Sequence, residues 1–175
     1  MFKIVEKRKL TDNIYEMKIA AERVARAALP GQFVIVRADE GSERIPLTIA
    51  DYDVEAGTVT IVTQTIGHST KKICSLEEGE SLADFAGPLG RPSEFVHMPV
   101  EELRKRKYLF IAGGVGTAPV YPQVKWLKQH GVECDVIIGA KSLNMLIYID
   151  KMEKVGNVHI ATDDGTAGYK GMVTG

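Results

Sequence analysis

The sequence has few cysteines and no excess of either charge. Its 175 residues include only two cysteines, Cys74 and Cys134, which excludes a disulfide-rich scaffold and a zinc or iron-sulfur site held by four cysteines of this chain. The 22 basic and 23 acidic side chains leave a net charge of -1, which argues against general affinity for nucleic acid or an anionic membrane. The four histidines show no ligand spacing, so no metal site is expected. Without a signal-type or membrane-length apolar run, the default expectation is a cytoplasmic compartment.

The first half of the chain predicts short strands separated by turns. Alternating or β-branched apolar runs occupy residues 2–8, 14–20, 32–37, 45–50, 58–64 and 81–85. One helix is expected over residues 69–76, with Ser69 as its N-cap. Short strands at this spacing, with no other helix between them, indicate an antiparallel barrel or sandwich.

The second half changes to an alternation of strands and helices. Strands are predicted at 108–112, 134–139 and 158–161, with helices between Pro119 and Gly131 and over 143–154. This order indicates a parallel α/β sheet, and the domain boundary is placed within residues 99–106. Three strands make a small sheet with a bare outer edge. We therefore expect either that another chain completes the sheet or that the sequence is a fragment.

The glycine-rich segment from Gly113 to Pro119 carries the stronger functional signal. It lies between an apolar strand and a helix, where glycines allow a pyrophosphate to approach the backbone and the helix start supplies unpaired N–H groups. It departs from the G-x-G-x-x-G pattern because Pro119 occupies the last position. The alternative is a tight strand-to-helix turn that binds nothing.

A second, weaker signal combines Arg44-Ile45-Pro46-Leu47-Thr48 with Gly67-His68-Ser69-Thr70. An arginine, hydroxyl groups and a helix N-terminus suit a phosphate-bearing cofactor. The alternative is an edge strand that carries a proline, followed by an ordinary helix cap.

Six segments in this order resemble the ferredoxin-NADP reductase superfamily, and the resemblance covers essentially the whole chain. The segments are Pro-Gly-Gln-Phe at 30–33, Arg-Ile-Pro-Leu-Thr at 44–48, Gly-His-Ser-Thr at 67–70, Gly-Pro-Leu-Gly at 87–90, Gly-Gly-Val-Gly-Thr-Ala-Pro at 113–119 and Asp-Asp-Gly at 163–165. Within the superfamily the chain looks most like electron-transfer subunits of the dihydroorotate dehydrogenase type and of the NADH-dependent ferredoxin:NADP oxidoreductase (sulfide dehydrogenase) type. The implied fold is an all-β antiparallel Greek-key barrel for FAD, residues 1–100. It is followed by a partial α/β parallel-sheet domain for NAD(P), residues 101–175.

The resemblance also assigns roles to residues. Arg44 to Thr48 would run along the flavin, with Pro46 and Leu47 against the ring system and Thr48 within reach of N5 as the catalytic candidate. The FAD pyrophosphate would be held by Gly67, Ser69 and Thr70. The NAD(P) pyrophosphate and ribose would contact Gly114, Gly116, Thr117 and Pro119, and the nicotinamide side would be flanked by Asp163, Asp164 and Gly165.

The implied function is hydride transfer between NAD(P)H and FAD, with electrons passed to an iron-sulfur centre or to a larger catalytic or electron-accepting subunit. Such subunits normally continue further and bind a [2Fe-2S] cluster through four C-terminal cysteines, so the resemblance implies a truncated chain. The alternatives are a free-standing NAD(P)H-flavin reductase and a non-catalytic nucleotide-binding scaffold. Neither nucleic acid nor a membrane is an expected partner. The choice between NADH and NADPH stays open, because no acidic residue follows the second strand of the α/β half and Lys141 there is compatible with a phosphate.

Overall fold

The structure, a computed structural model, describes residues 2 to 174. The chain forms two compact units that divide between Ser93 and Glu94, ahead of the 99–106 stretch where the sequence placed the boundary. Within the described residues, no helix is both long and apolar enough to cross a bilayer.

The first unit is a seven-stranded antiparallel sheet that closes on itself. Its strands are β1 (Phe2–Lys9), β2 (Ile14–Ala20), β3 (Phe33–Arg37), β4 (Ile45–Asp53), β5 (Thr58–Gln64), β6 (Ser81–Leu82) and β7 (Asp84–Leu89), in the order β6-β1-β2-β5-β4-β3-β7. Only Ala83 separates β6 from β7, and this run pairs with β1 at its start and with β3 at its end. The barrel and its Greek-key order confirm the predicted fold class.

Two helices accompany the barrel, and one of them was missed. The expected helix is α2 (His68–Ser75), which begins after Gly67, so Ser69 lies inside it and is not its cap. The prediction that no other helix interrupts the strands was wrong, because α1 (Glu22–Ala27) follows β2. This helix has only six residues, too few for a helical repeat to show in the sequence. It forms because Val24 and Ala25 bury against the barrel core.

The barrel core follows from the period of two along each strand. Met17 and Ile19 of β2 and Val59 and Ile61 of β5 point inward and are at most 1% exposed. Full burial of such a side chain stabilises the fold by about 1.5–3 kcal/mol. This core fixes which residues of each strand face outward, and so defines the exposed face on which a ligand can bind.

The second unit is a parallel sheet packed against helices. Its strands β8 (Tyr108–Gly113), β9 (Cys134–Ala140), β10 (Asn157–Thr162) and β11 (Tyr169–Lys170) lie in the order β11-β10-β9-β8. Its helices are α3 (Val100–Leu103), α4 (Thr117–Gln129) and α5 (Ile149–Glu153). Strand–helix alternation and the parallel sheet confirm the predicted α/β architecture.

Three details of this unit differ from the prediction. A fourth strand, β11, pairs in parallel with β10, where the sequence indicated only a loop. The helix expected over 143–154 is reduced to a single 3-10 turn, Leu143–Met145, and the short α5. Helix α3 lies in the 99–106 stretch where the boundary was placed, and it forms because Leu103 is fully buried in the core of this unit.

The two faces of the parallel sheet are covered unequally. Val136 and Ile138 of β9 are fully buried in the helix-covered core. On the opposite face, Leu109 and Ile111 of β8 are 58% and 51% exposed. The segment after β11 lies over part of this face, since a Cβ added at Gly139 would collide with the Val173 side chain. The apolar part of this face at Leu109 and Ile111 of β8 is open to solvent.

Candidate functional site

The first part of β4 presents an exposed face of small and polar groups. Pro46 and Thr48 are exposed, whereas Ile45 and Leu47, which alternate with them along the strand, are half-buried and pack against the barrel core. The alternation follows from the strand period. Pro46 and Thr48 are thus the side chains that a flat ring laid on this strand would meet, and the Leu47 side chain is directed to the core.

Arg44, directly before β4, forms an ion pair across the ends of three strands. Its Nη2 atom lies 2.6 Å from Oδ2 of Asp84, and Nε of Arg37 lies 2.8 Å from the same oxygen. Arg37 and Asp84 are direct cross-strand partners in β3 and β7. The Arg44 side chain is 61% exposed, so most of its guanidinium faces solvent.

The start of α2 is an open helix N-terminus beside this arginine. A Cβ added at Gly67 would meet no atom within 4 Å. Thr70 Oγ1 accepts hydrogen bonds from the backbone N–H groups of Ile66 and Gly67 and donates to the Gly67 carbonyl. The Thr70 hydroxyl therefore shapes the turn, and the first free N–H groups of the helix face outward as in other anion sites.

The loop before β4 is tied to α2 by two contacts. Ser69 donates a hydrogen bond from Oγ to Glu43 Oε2 at 3.2 Å, and Lys72 Nζ lies 2.5 Å from Asp39 Oδ2. The hydrogen bond from Lys72, followed by that from Ser42, lowers the pKa of Asp39. These contacts place the chain at Glu43 and Arg44 beside the helix start, so the structure brings together the two segments of the weaker sequence signal.

Two other motifs of the barrel have a structural role. The Gln32 side chain donates to the Gly90 carbonyl at 3.0 Å and accepts from the Leu29 amide at 2.9 Å. A Cβ added at Gly87 would lie 2.7 Å from Val34 Cγ1, and one at Gly90 would lie 2.9 Å from the Phe33 ring. The Pro-Gly-Gln-Phe and Gly-Pro-Leu-Gly segments therefore pack on each other, which requires glycine at both positions.

In the second unit the glycine-rich segment forms an open turn between β8 and α4. Gly114 has φ +53, whereas Gly116 has φ -64, and a Cβ at either position would meet nothing within 4 Å. Thr117, the first residue of α4, is fully buried, and its Oγ1 atom has no hydrogen-bond partner. Buried hydroxyls almost always have a partner, so this atom marks a place where a ligand or water belongs.

The Asp163–Gly165 loop follows β10 at the same edge of the sheet. Asp164 Oδ1 accepts hydrogen bonds from the Thr166 hydroxyl at 2.7 Å and the Thr166 amide at 2.9 Å. These bonds, the hydroxyl first, lower the pKa of Asp164. The Thr166 hydroxyl in turn accepts from the Leu143 amide at 2.8 Å, which ties this loop to the one after β9. Because the strands are parallel, all these loops lie at their carboxyl ends, where open α/β sheets bind ligands.

No family model matches the chain, but a comparison with solved structures is decisive. The chain is similar to an NADH-dependent reduced ferredoxin-NADP oxidoreductase described for flavin-based electron bifurcation, with a TM-score of 0.89 and 36% identity. The match covers 99% of this chain and 60% of the solved one. The chain belongs to the ferredoxin reductase-like superfamily. A ferredoxin-NADP+ reductase from Plasmodium falciparum shares the fold at 16% identity and a TM-score of 0.74, over 95% of this chain and 71% of that one.

Curated relatives agree with membership of the ferredoxin reductase-like superfamily. An electron transfer subunit homolog of dihydroorotate dehydrogenase B (NAD(+)) from Thermotoga maritima is 38% identical, and the electron transfer subunit from Fusobacterium nucleatum is 31% identical. An uncharacterized protein in the adh 3' region of Clostridium beijerinckii is 57% identical. Each match covers 98% of this chain but only 58%, 65% and 58% of these relatives, respectively.

This ferredoxin reductase-like chain also contains site residues that sequence reasoning missed. Glu43 contacts Ser69 and Asp84 contacts Arg44, and Arg37 contacts Asp84. No motif marks these three residues, and only the strand register brings Asp84 to Arg44. The two cysteines are buried, and burial raises the pKa of both Cys74 and Cys134 to about 11, which opposes thiolate chemistry. Among residues 2–174, no cluster of His, Cys, Asp or Glu side chains is arranged to hold a metal ion.

Proposed function

We propose that this chain is a flavoprotein electron-transfer module that binds FAD in its barrel and NADH in its α/β unit. One observation carries the proposal: each unit has a helix N-terminus that begins at a glycine with open space beside it, in a chain of the ferredoxin reductase-like superfamily. Pyrophosphates bind in such places because backbone N–H groups and the helix dipole meet them there. FAD and NADH each contain one pyrophosphate.

The barrel residues divide the binding of FAD between them. Pro46 and Thr48 lie under the ring system, and the exposed Thr48 hydroxyl offers a hydrogen bond to N5. The pyrophosphate lies at Gly67 and Ser69, with Thr70 holding the turn and Arg44 supplying positive charge. Bound there, FAD would supply the chemistry, because a flavin accepts a hydride and releases electrons singly.

The α/β residues divide the binding of the second nucleotide in the same way. Gly114 and Gly116 leave room for the pyrophosphate, and Pro119 lies in the first turn of α4. Thr117 offers its unpartnered hydroxyl to the ribose or the pyrophosphate. The tasks of these groups are to orient the nicotinamide and to exclude water.

NADH is the proposed nucleotide rather than NADPH. The curated relatives are named for NAD(+), and the solved relative is named as NADH-dependent, with ferredoxin and NADP in the rest of its name. NADH should therefore bind more tightly than NADPH. Equal binding of both by the unaltered chain would refute the choice of NADH.

Electrons would leave the flavin for a partner subunit. Relatives are named as electron transfer subunits of a larger enzyme, and the chain spans about three fifths of the solved relative. The family resemblance implies a [2Fe-2S] cluster in such subunits, and this sequence has no four-cysteine ligand set for one. A free-standing flavin reductase and a non-catalytic scaffold are the competing functions.

Binding and reduction assays separate these functions. We expect FAD to bind more tightly than FMN, since FMN has no pyrophosphate to place at Gly67. A scaffold would bind a nucleotide but leave bound FAD oxidised when NADH is added. A free-standing reductase would reduce added free flavin rapidly without a partner. Preference for FMN over FAD would contradict the proposed cradle in the barrel.

A further inference from the structure

The ends of three neighbouring barrel strands bring two arginines and one aspartate together. Val36 of β3 pairs with Ile45 of β4, so Arg37 lies opposite Arg44, while Asp84 of β7 is the cross-strand partner of Arg37. Both guanidinium groups contact the same carboxylate oxygen, Oδ2 of Asp84, at 2.8 and 2.6 Å. Arg37, Asp84 and Arg44 together form the arginine-aspartate cluster.

The two arginines differ in how firmly they are held. Arg37 is 18% exposed, and its Nη1 atom also donates to the Glu40 carbonyl at 3.1 Å. Arg44 is 61% exposed, and its Nη2 atom contacts Asp84. Arg37 is therefore the fixed cation that keeps Asp84 in place, and Arg44 presents the remainder of its guanidinium donors to solvent.

The charge of the cluster is suited to an anion. Two guanidinium groups and one carboxylate leave a net charge of +1, beside the exposed face of Pro46 and Thr48 and the open start of α2. Oδ2 of Asp84 is buried and contacts Nη2 of Arg44 at 2.6 Å, while the Arg44 side chain is 61% exposed and presents its other guanidinium donors to solvent. Those donors stay available for a phosphate.

We propose that Asp84 is a positioning residue that orients Arg44 toward a phosphate of the flavin cofactor. The proposal rests on the function proposed above and deepens it. A long exposed arginine loses side-chain entropy when it is ordered, and a carboxylate that holds it beforehand removes that cost from binding. Asp84 thus favours phosphate-bearing flavins through Arg44, although its own charge alone would repel them.

The test compares flavins with and without phosphate on the 175-residue chain. Dissociation constants for FAD and riboflavin are measured by flavin fluorescence for the unaltered chain, Asp84→Asn, Arg44→Gln and the double variant. Asp12→Asn is the matched control, because Asp12 also pairs with a basic side chain, Lys9 at 3.2 Å, but lies in the β1–β2 turn.

We expect Asp84→Asn to weaken FAD binding by about tenfold, which is the contribution of one charge-assisted hydrogen bond. The dissociation constant for riboflavin should change by no more than about twofold. In the Arg44→Gln background the same change should have little further effect. Asp84→Glu, which keeps the charge but moves the carboxylate, should give an intermediate loss and serves as the second variant if Asp84→Asn does not fold.

Three results would overturn the positioning role. If Asp84→Asn weakened the binding of FAD and of riboflavin equally, Asp84 would be a structural residue. If Asp84→Asn bound FAD more tightly, the Asp84 charge would only repel the phosphate. If Asp84→Asn weakened FAD binding as much in the Arg44→Gln background, Asp84 would not act through Arg44. A different result, an unaltered chain that binds neither flavin, would refute the proposed function itself and this proposal with it.

Discussion

At the scale of single residues, the two glycines of the nucleotide loop differ in what they require. The left-handed backbone is at Gly114, with φ +53, and not at Gly116, with φ -64. A side chain at Gly114 is therefore strained even in open space. At Gly116 the backbone is compatible with a side chain, which would collide only with a bound ligand.

This difference predicts separate effects for two substitutions. Gly114→Ala should lower the free energy of unfolding by about 1–2 kcal/mol because alanine is disfavoured in the left-handed region. Gly116→Val should change stability by only about 0.5 kcal/mol. It should weaken NADH binding by about tenfold or more, since it displaces a charged group from its hydrogen bonds. Thermal unfolding measures the change in stability, and NADH titration measures the change in affinity. Normal NADH binding by Gly116→Val would mean that Gly116 serves only the turn.

Glu43 gives a second prediction. Its carboxylate accepts a hydrogen bond from the Ser69 hydroxyl, the group that we propose to bind a phosphate of FAD. Glu43→Gln should tighten FAD binding by about fivefold at low salt, since like charges about 4 Å apart in water repel by about 1 kcal/mol. The gain should shrink as salt is added. Glu40→Gln removes the same charge from the same loop and is the control. An equal gain in both variants would show a general charge effect and no competition at Ser69.

At the scale of elements, long periodic segments were predictable and short ones were not. The strands of the barrel and the Gly-rich turn before α4 follow from apolar alternation and from glycine placement. Helix α1 and strand β11 have six and two residues, and each forms through contacts distant in sequence. The cap of α2 was assigned to Ser69, yet Thr70 satisfies the backbone there, which residue type alone does not distinguish.

The unequal faces of the parallel sheet give a prediction at this scale. Ile138→Ala, on the helix-covered face, should lower the free energy of unfolding by about 2–5 kcal/mol because it leaves a cavity. Ile111→Ala, on the open face, should change it by only about 0.5 kcal/mol. It should also reduce dye binding to exposed apolar surface. Chemical denaturation of both variants measures the free energy of unfolding. A large loss of stability in Ile111→Ala would mean that the open face is buried in solution.

At the scale of the whole molecule, the sequence was sufficient for the superfamily and the two-part architecture. The motifs occur in the order that the family resemblance requires, and the solved relative matches 99% of the chain. The pairing of Arg44 with Asp84 and of Ser69 with Glu43 was not predictable, because it depends on strand register and loop path rather than on motif spacing. Those unpredicted contacts set the charge around the proposed FAD site.

Electron transfer from NADH to FAD is tested most directly by an end-point titration with NADH, without oxygen, of the 175-residue chain reconstituted with FAD. We expect the visible absorbance of bound FAD to fall in proportion to the NADH added, even where the reaction is slow, and Gly116→Val to reach the same end point at a much lower rate. FAD that is bound yet keeps its full absorbance at saturating NADH would contradict the assignment of this chain as a module that transfers electrons from NADH to FAD.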